Sequence, residues 1–537
     1  MPRKAHKTLH FPLSGVSRRA GYHDVAPPYT APYAANVRGV SAIERRNRGG
    51  SRPGLLAVVD NDFGAITAVA AVTSIDGSGN RNRDLVVIAD GALSYLRGET
   101  VTEPDGALQT PTGVNIITDD GEQIVFDTEV SAVNPGGDSD AFDTVERNGK
   151  LLLADSVLKE WDPLTGVVST VADSGEATVP TGCPLICQYS DRVILSGADH
   201  LWYACRQGDH TDWDFGGDLN DKGRPVVGQC EAAGRIGEVI KAMIPHRDAF
   251  LYFASHTSLW LLRGDPATGT LSLVSSEIGV ISPTAWAKSP EGLIAFVSND
   301  GVYLMPAGGN PVMFSEARIP DELRNVDPTT NIIIMAYDIR GRGFHLFITP
   351  TGIGAGVGEH WWLDVENKAL WPVILQDDHQ PVAASRWQDS TGLSEIILGC
   401  KDGYLRKFDN DTDDDDGEDI ESHILIGPFR VSVDDATDGI LDELHGILAD
   451  NGGSVTWRVI VGDSAEAVAD AGVAGIEAAL AGSDPTGIAA SGTWSENRNK
   501  VVRPRARGPW AAVWLASTSA WAYESIVAGL TQLGRKR

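Results

Sequence analysis

Cysteine and positive charge are both scarce in this chain, and each scarcity closes off an explanation. Five cysteines among 537 residues (Cys183, Cys187, Cys205, Cys230 and Cys400) are an odd number thinly spread, which argues against a disulfide framework. They read as small buried apolar groups. Lys and Arg number 44 against 73 Asp and Glu, a formal net charge of −29. A surface of that sign cannot wrap nucleic acid as a whole, because phosphate neutralisation needs cations. Long apolar runs are missing as well: the longest candidate, around Ala65 to Ile75, is about half of what a bilayer span needs. The opening Met1-Pro2-Arg3-Lys4-Ala5-His6-Lys7 is basic, but His10 and Pro12 interrupt the stretch from Thr8 to Leu13, so no signal-peptide core forms. The expectation is a soluble product, made in the cytoplasm, with no membrane insertion.

Signatures of chemistry are equally thin. There is no Gly-x-Ser-x-Gly elbow, no Gly-Lys-Ser/Thr phosphate loop and no His-Glu-x-x-His among the twelve histidines. Cys183-Pro-Leu-Ile-Cys187 has three intervening residues, no second pair and no nearby histidine, which argues against zinc. Gly208-Asp209-His210-Thr211-Asp212-Trp213 holds an acid and a base, yet those residue types also build a turn in which Asp bonds the backbone, and the turn is favoured. The run Asp409 to Asp419 has the oxygen ligands a hard cation wants. Its register fails, however: with Gly417 as the turn glycine, the first-ligand position falls on Thr412 and the closing Glu position on His423. It reads as an acidic hairpin tip in solvent. No catalytic, cofactor-binding or metal residues are assigned, no cofactor is expected, and the chain is read as a non-enzyme.

What the chain does have is a repeat. A short apolar strand, a tight polar turn and a second strand bearing an aromatic recur seven times. The pairs are Leu85 to Ile88 with Leu93 to Leu96, Leu151 to Ala154 with Val157 to Trp161, and Val193 to Leu195 with Leu201 to Tyr203. They continue with Phe250 to Phe253 and Leu259 to Leu262, then Leu293 to Val297 and Val302 to Leu304. The last two are Phe344 to Ile348 with Trp361 to Leu363, and Glu395 to Leu398 with Tyr404 to Phe408. Asp90-Gly91, Asn148-Gly149 and Asp300-Gly301 supply the positive-φ residues that two-residue hairpin turns require. A spacing of roughly 40 to 65 residues brackets a propeller blade and exceeds the 8 to 12 residues between consecutive sandwich strands. The fold expected is all-β: a β-propeller of six or seven blades over residues 56–430. An extended, proline-rich N-terminal arm (1–55) precedes it, and a small β-rich domain (431–537) with one Ala-rich helix near Ser464 to Leu480 comes after it.

Charge is not uniform along the chain. Ten Lys and Arg residues between Arg3 and Arg52 face only Asp24 and Glu44, and eight between Arg498 and Arg537 face only Glu524. Two solvated tails would explain this; the reading preferred is that both ends lie together on one end of the molecule and dock on acidic partners.

Several segments resemble the tail nozzle, or tail tubular protein B, of short-tailed bacteriophages. In the arm these are Pro12-Leu13-Ser14-Gly15-Val16, Pro27-Pro28-Tyr29-Thr30-Ala31, Ala35-Asn36-Val37-Arg38 and Gly50-Ser51-Arg52-Pro53-Gly54-Leu55. Further on they are Asp191 to Gly197 with Leu201-Trp202-Tyr203 and Gly208 to Trp213, and Gly399-Cys400-Lys401-Asp402-Gly403-Tyr404 with Phe408-Asp409. Near the end they are Arg503-Pro504-Arg505-Ala506-Arg507-Gly508, Trp521-Ala522-Tyr523-Glu524 and Gly534-Arg535-Lys536-Arg537. The resemblance implies a structural virion protein, assembled in the host cytoplasm and located in the tail. It further implies a homo-oligomeric ring of six, contacts with the phage adaptor and with tail fibre or spike proteins, and transient passage of double-stranded DNA through the axis. An acidic wall would suit that passage, repelling the duplex over about one Debye length, roughly 8 Å. Two other function classes stand beside it: a receptor- or glycan-binding tail propeller, and a polysaccharide-degrading enzyme whose paired carboxylates the plentiful acids could supply.

Overall fold

The computed structural model describes residues 4–19, 21–22, 30–97, 100–102, 143–154, 157–174, 177–230, 237–316, 318–319, 321–352, 356–388, 392–434 and 437–535. Within them, four-stranded antiparallel sheets succeed one another at 66–102, 143–170, 185–229, 242–275, 286–313 and 331–373. A seventh is built from Pro381–Gln388, Ser394–Cys400 and Leu405–Asp409, and its fourth strand is Gly54–Ala57, which pairs Leu55 with Phe408. The first strand of each sheet packs beside that of a neighbour, and Pro381–Gln388 of the last packs on Ile66–Ile75 of the first. The fourth and fifth sheets are joined by Lys288 Nζ, which donates to the carbonyl of Pro245 at 2.8 Å. The result is a seven-bladed β-propeller, closed by a strand from the other end of the chain.

The local cause of each blade is the hairpin that the sequence announces. Those seven hairpins are the second and third strands of the seven blades. Asp90-Gly91 and Asn148-Gly149 both have positive φ (49° and 78°, 52° and 78°), the geometry that matches the twist of the flanking strands. Every third strand carries an aromatic: Tyr95, Trp161, Trp202, Trp260, Tyr303, Trp362 and Phe408. Some of these rings reach across blade boundaries. Tyr95 lies 5.1 Å from Trp161, and Trp202 stacks on Phe253 at 5.2 Å. Stacking between blades gives aromatic pairs about 0.5–1.5 kcal/mol beyond their area burial.

After the propeller come, among the described residues, one helix and two sheets that share a core, Ile424, Val459 and Val513 of one with Leu444, Ile526 and Ala528 of the other, and so form a sandwich. One sheet holds Ala34–Ala35, Ser422–Arg430, Trp510–Ser517, Val455–Gly462 and Ile488–Trp494; the other holds Lys4–Leu9, Tyr523–Arg535, Thr437–Leu448 and two short strands. The strand Ser422–Arg430, within the range 56–430 expected for the propeller, pairs with Trp510–Ser517 of the C-terminal unit. The helix spans Ala465–Leu480. Ser464 caps it by accepting from the Ala467 N–H at 3.1 Å, and Val468, Ala469, Gly472 and Ile476 form its buried stripe. Gly472 is there because a Cβ would sit 2.4 Å from the Leu425 side chain.

The arm belongs to both units. Lys4–Leu9 pairs antiparallel with the last strand, from Lys4 opposite Thr531 to Leu9 opposite Ile526, so the two ends of the chain lie side by side. Of the basic and motif residues at the two ends, Arg3, Pro27, Pro28, Tyr29, Lys536 and Arg537 lie outside the described residues. Phe11 is buried among Trp371 of blade six (5.9 Å) and Trp521 and Tyr523 of the sandwich (6.4 and 5.7 Å). Gly49, at φ +86°, passes beneath that ring so closely that a Cβ would meet it at 2.2 Å.

Candidate functional site at the joint of arm, blades and sandwich

A buried polar cluster lies where the arm crosses from the sandwich to the closing blade. Arg52 is fully buried. Its Nη1 donates to Asp415 Oδ1 at 2.8 Å and to the Pro53 carbonyl at 2.8 Å, its Nε to Asn36 Oδ1 at 2.9 Å, and its Nη2 to the Ile374 carbonyl at 3.0 Å. Asn36 in turn accepts from the Ile374 N–H (2.8 Å) and donates to the Glu421 carbonyl (3.0 Å). Asp415 also accepts from the Leu55 N–H at 3.2 Å. Arm, blade six and the loop leading into the sandwich are thus tied through one guanidinium.

This placement corrects the reading of the acidic run. A hairpin does form, with Asp414–Asp415 pairing Glu418–Asp419, but it is not merely a tip in solvent. Asp415 is buried on Arg52, and Asp416 accepts from Arg406 Nε at 2.9 Å. Nothing in a run of similar acids marks which one turns inward; the signal was the distant Arg52-Pro53-Gly54, whose partner could be found only in three dimensions.

The other sequence candidates fall elsewhere. Asp209 accepts from the Thr211 N–H (2.9 Å) and hydroxyl (2.7 Å), which holds its carboxyl below the usual range, and Trp213 Nε1 donates to the His210 carbonyl. That is the turn expected. His210 Nε2 meets Glu160 Oε2 of blade two at 2.9 Å. All five cysteines are free and buried, and burial pushes the Cys183 thiol up to about 12. Among the described residues no cluster of three His, Cys, Asp or Glu side chains could hold a metal ion, and no helix is long and apolar enough to cross a membrane.

Beside the Arg52 cluster lies a cavity of about 190 Å³, walled by the arm, by blade six and by the second and third strands of blade seven. Arg38 lines it. Its guanidinium sits over Trp362 (4.3 Å) and Phe408 (5.4 Å), and burial lowers it to about 9. Arg340 of the same wall is ion-paired to Glu395, which also accepts from Lys407 Nζ at 2.9 Å. Sequence reading missed Arg38 as a site residue, because a lone Arg in an arm looks like any other surface cation.

Buried histidines surround the joint. His345 is stacked between Phe347 (5.4 Å) and Phe408 (4.4 Å), His360 Nδ1 accepts from the Ile348 N–H, and His423 Nδ1 accepts from Trp514 Nε1. Burial pushes them down from 6.5 to about 4, 3 and 4 respectively. As the pH falls from about 6.5 toward 4, the unfolded chain takes up protons that the folded chain refuses, so this stability is complete above 6.5 and is lost on acidification. Each depressed unit corresponds to about 1.4 kcal/mol, so the loss by pH 4 is on the order of a few kcal/mol. The melting temperature is expected to fall steeply between pH 7 and 4, and His345→Phe, which keeps the stack, to flatten that fall. An unchanged slope in the variant would rule out His345 as a contributor.

No known protein family matches the chain, and no curated protein sequence matches it. Among solved structures it is similar to the extracellular domain of a putative one-component system from B. thetaiotaomicron, at 11% identity and a TM-score of 0.38. That match covers 65% of this chain and 39% of that one, so the chain spans about two fifths of its length. It is also similar to BBS1N, solved in complex with ARL6DN (12%, TM-score 0.40, 66% of this chain and 97% of that one), and to the N-terminal domain of Nup159 (11%, 0.34, 67% and 95%). The blade-by-blade strand pairing, not these likenesses, defines the propeller here.

Proposed function

We propose that this chain is a structural, non-enzymatic virion protein, a nozzle-like subunit of a ring of six in a short phage tail, through whose axis DNA leaves. The observation that carries the reading is where the resemblance residues lie. Ala35-Asn36-Val37-Arg38 and Gly50-Ser51-Arg52-Pro53-Gly54-Leu55 form the joint that fastens propeller to sandwich. Two units joined by a single linker move relative to one another. Here the arm crosses between them, adding Gly54–Ala57 to the propeller and Lys4–Leu9 and Ala34–Ala35 to the sandwich, which suits a part that must hold its shape under load. The partners on this reading are further copies of the chain, the adaptor, and fibre or spike proteins, in the virion tail.

The test is the mass of the assembled protein, measured by native mass spectrometry and by its presence in purified particles. Six copies of the 57.2 kDa chain are expected. A monomer at micromolar concentration that is absent from particles would overturn the reading. A second reading, a receptor- or glycan-binding tail propeller, is favoured by the cavity at Arg38.

A further inference from the structure

Five arginines are buried among the described residues: Arg38, Arg52, Arg147, Arg192 and Arg406. Four have a carboxylate of the protein within reach: Arg52 has Asp415, Arg147 has Asp191 at 3.3 Å, Arg192 has Asp265 at 3.1 Å, and Arg406 has Asp402 at 2.7 Å. That is what burying a guanidinium demands, since an unpaired buried charge is costly. Arg38 is the exception: its Nε and Nη2 are buried with no hydrogen-bond partner, and it lines the cavity.

The acids near Arg38 offset its charge without bonding it, and two are already engaged. Asp338 Oδ1 accepts from the Arg340 N–H at 2.8 Å, and Asp364 accepts from Asn367 N and Nδ2 at 2.9 and 2.7 Å. Two exposed cations, Arg45 and Arg342, lie on the cavity wall, and Arg342 forms no ion pair among the described residues. Set against them is one exposed acid, Glu366. A volume of about 190 Å³ is several times the roughly 30 Å³ that one water occupies in the liquid, so it can take more than a single solvent molecule.

We propose that this cavity binds a small organic carboxylate, of the size of a hexuronate, whose oxygens supply the hydrogen-bond acceptors that Arg38 Nε and Nη2 lack. A planar monoanion is preferred over phosphate because the wall also carries Asp338, Asp364 and Glu366, which repel a dianion more strongly. The occupant would touch arm, blade six and blade seven together and so stiffen the joint. This site is independent of the ring: either can fail without the other.

The experiment is calorimetric titration and thermal melting of the full chain with glucuronate, glucose and inorganic phosphate. Glucuronate is expected to bind saturably in the millimolar range or tighter and to raise the melting temperature, glucose to do neither, and phosphate to bind more weakly. Arg38→Met is expected to weaken glucuronate binding about tenfold or more, the loss of one charge-assisted bond. Arg342→Ser, at an exposed position, keeps the test decisive if the first variant does not fold, and is expected to weaken binding about threefold, as for an exposed charge. The proposal is overturned by no glucuronate binding, by glucose or phosphate binding as tightly, or by Arg342→Ser and a folded Arg38→Met both binding like the parent.

Discussion

An Asp415→Ala variant is expected to lose about 3–5 kcal/mol of folding stability, because it leaves Arg52 buried and uncompensated. The side chains of the pair are 0% and 4% exposed, so solvent cannot stand in for the lost carboxylate. Replacing both partners by apolar groups, as in Arg52→Met with Asp415→Leu, is expected to cost much less, since no bare charge remains. Chemical denaturation of the three proteins measures the difference. A single variant within 1 kcal/mol of the parent would show that the joint does not depend on this pair. In that case the strand pairings of the arm and the Phe11 contacts would hold the joint without it.

Phe11→Ala is the second large effect, about 3–5 kcal/mol, the usual range for emptying a buried aromatic site. Phe11 touches the propeller through Trp371 and the sandwich through Trp521 and Tyr523, so the cavity left behind opens at the contact between the two units. Limited proteolysis alongside the melting curve distinguishes the outcomes: early cleavage between the units is expected, with each fragment still protected. Uniform loss of protection would instead mean that propeller and sandwich do not fold apart.

These contacts change how the basic arm must be tested. Removing residues 1–50 deletes the strand Lys4–Leu9, Phe11, Asn36 and Arg38 together, so loss of assembly would report unfolding and not lost docking. Charge substitutions at exposed positions such as Arg46 leave the joint in place and address docking alone.

Much of the propeller was legible because its causes are local. Turn and aromatic lie close to the hairpin in sequence: Asp90-Gly91 closes the one bearing Tyr95, and Asn148-Gly149 turns the chain into the one bearing Trp161. Blade number was not legible from those hairpins, since a six-bladed ring with a stray hairpin and a seven-bladed ring share the same local pattern. It was decided by Gly54–Ala57 pairing with Leu405–Asp409, a contact across some 350 residues of chain. The candidate site was less legible still. Arg38, Arg52 and Asp415 stand in segments whose composition gives no sign of burial, and the acidic run looks uniformly solvated until one member is drawn inward.

By itself, then, the sequence determined the strand-turn-strand unit, its repetition and the capped helix at Ala465–Leu480, all of which depend on residues close together in the chain. Tertiary structure alone decided how the ring closes, that both chain ends share one sheet, and which buried arginine is left without a hydrogen-bonded carboxylate. Those outcomes follow from charge pairing and steric fit between segments hundreds of residues apart, where burial raises the cost of an unpaired ion far above anything a linear pattern of charges reveals.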